Sequence, residues 1–134
     1  MNKIKKNIRI AVIAHDGKKA DMVAFIMKRL DFFKENDIIA TGTTGKHIKH
    51  AGLEVTCLES GPKGGDAQIA AMITEGLIDG VVFFIDPMDV HPHQVDVSML
   101  LRICNVYNIP LATNYMTASL MISGFKHKAN KIEK

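Results

Sequence analysis

The 134-residue sequence has no tryptophan and few other aromatics: Tyr and Phe together make up 6% of the chain. Side chains that would stack on bases are therefore scarce, and nucleic-acid binding is disfavoured. Only two cysteines are present, Cys57 and Cys104, and they form no CxxC pair. Each lies in an apolar pattern, so both read as reduced, buried thiols suited to a reducing cytoplasm. No apolar stretch approaches the roughly 18 residues of a membrane span. The run Ile10 to Ala14 is too short for a signal-peptide core and stops at His15-Asp16. There is no GxGxxG after the first strand-like run and no phosphate loop ending in Gly-Lys-[Ser/Thr], which disfavours nucleotide binding.

What is present is a chain of one-domain size, 14.8 kDa and 47% hydrophobic, able to bury about two thirds of its unfolded surface. A single domain over 1–134 is expected, with basic tails at 1–7 and 127–134. The formal charge is +3, but its placement says more than its sum. Lys3, Lys5, Lys6 and Arg9 open the chain, and Lys126, Lys128, Lys131 and Lys134 close it against Glu133 alone. The body between these ends is net acidic, the arrangement of solubilising tails on an acidic domain.

Along the chain, continuous apolar runs alternate with helical periodicity. Strands are expected at Ile8–Ala14, Asp37–Ala40, Val55–Leu58, Val81–Ile85 and Ile109–Ala112. A first helix is expected to face the sheet with Val23, Ile26, Leu30 and Phe33. Further helices are expected at Lys46–Ala51, from Asp66 through Ile69, Met72, Ile73 and Leu77, through Val97 to Tyr107, and at Thr117–Phe125. Five strands alternating with helices imply a three-layer α/β/α, Rossmann-like fold with a five-stranded parallel sheet. The polar motifs all follow strand ends, so they gather on the one edge where open α/β sheets bind ligands.

Ser60-Gly61-Pro62-Lys63-Gly64-Gly65-Asp66 holds three glycines and a proline, a backbone able to turn sharply beside a ligand, and it ends on a carboxylate at the mouth of a helix. Asp66 is either an N-cap or a base. Thr41-Gly42-Thr43-Thr44-Gly45 offers hydroxyls and N–H groups at a helix start: an anion cradle or a threonine-capped helix. Asp86, Asp89, His91, His93 and Asp96 crowd into eleven residues. Without a helical HxxxH pair or a cysteine cluster, acid/base work competes with metal binding here. Asp96 can orient a histidine ring or cap the next helix, and His91 reads as a solvated loop residue. His15-Asp16 and Lys19 share the edge, and Lys63 adds a positive charge within the glycine-rich loop itself; Arg102, about two turns into its helix, reads as a solvated charge, with phosphate contact the alternative. A phosphate cradle, a lone carboxylate and a histidine with its own carboxylate suit proton abstraction beside a carbonyl on a small phosphorylated substrate. Isomerisation keeps the phosphate; a site that turns the C–O–P bond out of the enediolate plane expels it instead.

The same segments resemble the methylglyoxal synthase family. The likeness is carried by Ala14-His15-Asp16, Ala40 to Gly45, Ser60-Gly61-Pro62 with Gly64-Gly65-Asp66, Phe84 with Asp86-Pro87, Pro92-His93 with Asp96, and Ile109 to Asn114. It runs from about Ile8 to Ala118 and implies conversion of dihydroxyacetone phosphate to methylglyoxal and inorganic phosphate, a glycolytic bypass, with no metal or organic cofactor. It implies Asp66 as the base, His93 and Asp96 as the groups managing protons on the enediol oxygens, and His15, Asp16, Lys19, Thr41, Gly42, Thr43, Thr44, Ser60, Gly61 and His93 as substrate-binding residues. It further implies a homohexamer inhibited by phosphate, with no nucleic-acid or membrane partner. Lys63, Gln94 and Val95 stand at positions taken to be variable. No arginine follows Arg102, whereas longer members carry a C-terminal arginine tied to phosphate regulation, so cooperative inhibition is not expected. The competing reading is a non-catalytic regulatory domain of the same fold, as in carbamoyl phosphate synthetase, which would need the cradle without the base. A receiver-like domain is disfavoured because the paired acids after the first strand are missing.

Overall fold

The computed structural model describes residues 7–89 and 94–132, with the main chain alone for 62, 94–96 and 129–132. Its centre is β1 (Arg9–Ala14), whose last five residues are all buried. β1 pairs in parallel with β2 (Asp37–Thr41) on one side and β4 (Gly80–Phe84) on the other. β3 (Thr56–Leu58) and β5 (Leu111–Ala112) form the two edges, giving a parallel sheet of order β3-β2-β1-β4-β5.

Side chains of a strand alternate between the two faces of its sheet, and both faces here are covered. Ile10, Val12, Ala14, Ile38, Ala40, Val82 and Phe84 meet α1 (Lys19–Met27), α2 (Leu30–Phe33), α3 (Gly42–His50) and α6 (Tyr115–Ile132) through Phe25, Ile26, Phe33, Ile48 and Ile122. Ala11, Ile13, Ile39, Val81 and Phe83 meet α4 (Gly65–Thr74) and α5 (Gln94–Tyr107) through Ile69, Ile73, Leu100 and Cys104. This is the expected three-layer parallel architecture. No helix among the described residues is long and apolar enough to cross a membrane.

Four local expectations are corrected. The first helix breaks at Lys28-Arg29, where the Arg29 guanidinium bonds the Phe25 carbonyl at 3.0 Å and lies 4.1 Å from that residue's ring centroid. The break rotates the apolar stripe, so Met22, Phe25, Ile26, Phe32 and Phe33 are buried while Val23 and Leu30 lie at the border. α3 begins at Gly42, not Lys46, which makes the threonine motif a first helical turn. α4 ends before Leu77, which is 38% exposed. α6 extends to Ile132 and thus through part of the basic tail; it is preceded by Asn114, whose Oδ1 accepts the Thr117 N–H at 2.9 Å.

The fifth correction is Cys57, which is exposed, whereas Cys104 is buried as expected. β3 is a three-residue strand at the edge of the sheet, so an apolar pattern there does not mean burial. Desolvation pushes the Cys104 thiol up to about 11. Because the thiolate is the nucleophile, a disulfide reagent at neutral pH is expected to titrate one thiol, Cys57, in the native protein and both after denaturation. Rapid labelling of Cys104 in the native state would contradict its place between α5 and the sheet.

Candidate active site

The carboxyl ends of β1, β2, β3 and β4 open into one cavity of about 280 Å³. At the end of β1 the His15 N–H bonds the Phe84 carbonyl at 3.1 Å, tying the first residue after the strand to its neighbour in the sheet. The ring stands edge-on to Phe83, with centroids 5.3 Å apart, and its Nδ1 accepts the Asp86 main-chain N–H at 2.9 Å. A single 3-10 turn, Asp16–Lys18, then delivers Lys19 to the start of α1. Lys19 Nζ bonds Asp16 Oδ1 at 2.7 Å and the Thr43 hydroxyl, bridging the first and second loops.

After β2, Thr41 and Thr44 are buried and Gly42 takes φ +50. A Cβ at position 42 would meet Ser60 Cα at 3.0 Å, so glycine allows the second and third loops to touch. The Gly42 N–H goes to the Glu59 carbonyl at 3.1 Å. Those of Thr43 and Thr44 lie in the first turn of α3, beyond reach of any carbonyl of the helix itself, where the helix dipole also favours an anion.

After β3, the Ser60 carbonyl accepts N–H groups from Lys63 at 3.0 Å and Gly65 at 2.9 Å, folding the glycine-rich segment into a tight turn closed by Gly64 in the left-handed region. The N-cap of α4 is Gly64, and Asp66 is the second residue of the helix. The capping reading of Asp66 therefore fails on geometry. Only 5% of Asp66 is exposed, and its carboxylate folds back onto the Gly61 main chain: a Cβ on Gly61 would lie 3.4 Å from Oδ1 and 3.5 Å from Oδ2.

His15, Asp16, Lys19, Thr41, Gly42, Thr43, Thr44, Ser60, Gly61 and Asp66 all line this cavity. Four further residues line it that the sequence reading had not assigned to the site: Ile13, Ala14, Phe83 and Asp89. Strand alternation could have found Ile13 and Phe83, which lie in register one residue before the ends of neighbouring strands, on the same face. Lys63 is not among the lining residues, and Arg102 is exposed on α5. Thr113 and Asn114 lie just before α6 and are likewise absent from the lining. His91 and His93 lie outside the described residues, and Asp96 falls in the first turn of α5 with its side chain outside them. Among the described residues, no three His, Cys, Asp or Glu side chains are grouped to hold a metal ion.

A family model described as "MGS-like domain" matches residues 21–113. The methylglyoxal synthase of Clostridium beijerinckii is 50% identical over 119 residues, spanning 88% of this chain and 100% of its own. That of Bacillus subtilis is 50% identical over 116 residues, spanning 86% of this chain and 85% of its own. A crystal structure of methylglyoxal synthase from Elizabethkingia anophelis superposes with a TM-score of 0.83 at 44% identity, covering 87% of this chain and 78% of that one. With the fold shared and half the residues in common over most of its length, the chain belongs to the methylglyoxal synthase family.

Proposed function

We propose that the protein converts dihydroxyacetone phosphate to methylglyoxal and inorganic phosphate in the cavity described. The observation that carries this reading is the sharing of one small cavity by the buried Asp66 carboxylate and the oxyanion cradle of Lys19, Thr43 and Thr44. Its volume, about 280 Å³, lies just below the roughly 300–1,000 Å³ of drug-sized ligand pockets and suits a triose phosphate better than a nucleotide. A module that only bound a phosphorylated effector would have no use for a carboxylate aimed past the anion site.

In this reading the phosphate sits at the N-terminus of α3, held by main-chain N–H groups, the threonine hydroxyls and Lys19, with Ser60 and Gly61 closing the far side. Asp66 takes a proton from the hydroxymethyl carbon, and the electrons move onto the carbonyl oxygen. The hydroxyl on that carbon then gives up its proton to become the aldehyde as phosphate leaves the far carbon. Uptake of a proton at the vacated carbon yields methylglyoxal. His93 and Asp96 manage the protons on the two oxygens, and the His15 ring, Asp16, Thr41 and Gly42 shape the pocket around them. Anchoring the phosphate at a helix end sets the C–O bond across the enediolate plane, where elimination competes with return of the proton.

The chain works as a single domain in the cytoplasm and as a homohexamer, with phosphate inhibiting as a product. The exposed apolar side chains Leu101, Met116 and Leu120 on α5 and α6 support association. Incubation with dihydroxyacetone phosphate is expected to release methylglyoxal and phosphate in equal amounts. Binding of the compound without turnover would instead establish an effector module.

A further inference from the structure

The His15 ring is held by a backbone donor, and the residue that supplies the donor is built to keep it there. Asp86 follows β4, the strand that pairs with β1 at the point where the sheet topology divides. Its N–H points at His15 Nδ1 at 2.9 Å, while its carbonyl accepts the Asp89 N–H at 3.1 Å and its Oδ1 accepts the Met88 N–H at 3.0 Å. Asp at the first position and Pro87 at the second are the residues such a turn selects. The carboxylate replaces a main-chain acceptor, and proline presets φ while biasing Asp86 itself toward an extended backbone. Three bonds thus converge on one residue, and only one of them reaches the site.

We propose that Asp86 is the positioning residue for His15, its main-chain N–H holding the ring in the Nε2–H tautomer and its carboxylate holding that N–H in place. An imidazole that accepts at Nδ1 carries its proton on Nε2, so the ring enters the cavity as a donor with a fixed edge. A donor there suits an oxygen of the phosphate or of the developing enediolate, and the other tautomer would present a lone pair to the same oxygen. The role is distinct from that of Asp66: the Asp86 carboxylate serves by accepting a hydrogen bond and needs no charge.

This inference rests on the triose phosphate reading of the cavity for its catalytic consequence, but the tautomer itself can be read without substrate. In ¹⁵N spectra of the full-length protein, with His15 assigned by the loss of its signals in His15→Gln, Nδ1 is expected to be pyridine-like and Nε2 pyrrole-like. Asp86→Ala frees the turn and is expected to lower kcat/KM by about 10- to 100-fold, as loss of an orienting partner does elsewhere, with mixed tautomers in the spectrum. Asp86→Asn keeps the acceptor and should restore activity to within about threefold of wild type with the tautomer intact. Asn as damaging as Ala would make the carboxylate's charge the active property and overturn the proposal, as would a wild-type proton on Nδ1 or full activity in Asp86→Ala. Should the wild-type protein make no methylglyoxal, the proposed function falls while the spectrum still decides the tautomer.

Discussion

Replacing Asp66 with asparagine is expected to lower kcat by about 10²- to 10⁴-fold, the usual contribution of a positioned general base, while binding of inorganic phosphate stays nearly unchanged. The carboxamide has the shape of the carboxylate and fits the same buried space against Gly61. It lacks a basic oxygen able to take the proton. Because Asp66 is buried, thermal unfolding of the variant is recorded alongside, so that loss of fold is separated from loss of the base. Steady-state turnover and calorimetric phosphate titration of the same preparation separate the two effects. Wild-type rates in this variant would reduce Asp66 to a favourable charge at the start of α4.

Gly65→Ala is the second large expected effect, and it comes from geometry rather than chemistry. A Cβ there would overlap the Glu59 carbonyl and approach Thr41 Cγ2 to 2.9 Å. Glu59 cannot retreat cheaply, since its carbonyl also accepts the Gly42 N–H that opens α3 and its own N–H bonds Gln68 Oε1 at 2.9 Å. The end of β3 and the starts of α3 and α4 are therefore interlocked around one carbonyl. Overpacking of this kind costs about 3 kcal/mol, which corresponds to a fall in Tm of about 10 °C. Phosphate affinity should fall with it, because the strain is released into the first turn of α3. Gly124→Ala is the control: it sits within α6 with nothing within 4 Å of an added Cβ, and thermal unfolding should show no loss of stability. Equal Tm values for the two variants would contradict the interlock.

The features legible in the sequence are those written in local pattern. The runs ending in Ala14 and Phe84 announce buried parallel strands because both their faces must be apolar, and parallel strands force their following loops onto one edge. That logic gathers His15, Lys19, Thr43, Ser60 and Asp66 before any coordinate is known, and the structure indeed places them around one cavity. Features set by tertiary position were not legible. Cys57 looks like a core residue until the strand order makes β3 an edge. The break at Arg29 depends on a guanidinium turning back over Phe25, which periodicity does not encode. The donor to His15 is a main-chain N–H, a group every residue but proline carries, so the sequence gives Asp86 no mark for that role. Asn114, just after the end of the fifth strand, caps the helix that follows it, a role its side-chain oxygen fills equally with that of a ligand contact.

The central claim is that a base and an oxyanion cradle act together on one triose phosphate, and the fate of the substrate's hydrogens tests it most directly. Dihydroxyacetone phosphate carrying two deuteriums on the hydroxymethyl carbon should give methylglyoxal with one deuterium on the aldehyde, the other passing to solvent, and a methyl group completed by a solvent proton. Release of phosphate with both deuteriums still on that carbon, as dihydroxyacetone, would mean that the cavity hydrolyses the ester and that no carbon–hydrogen bond is broken there.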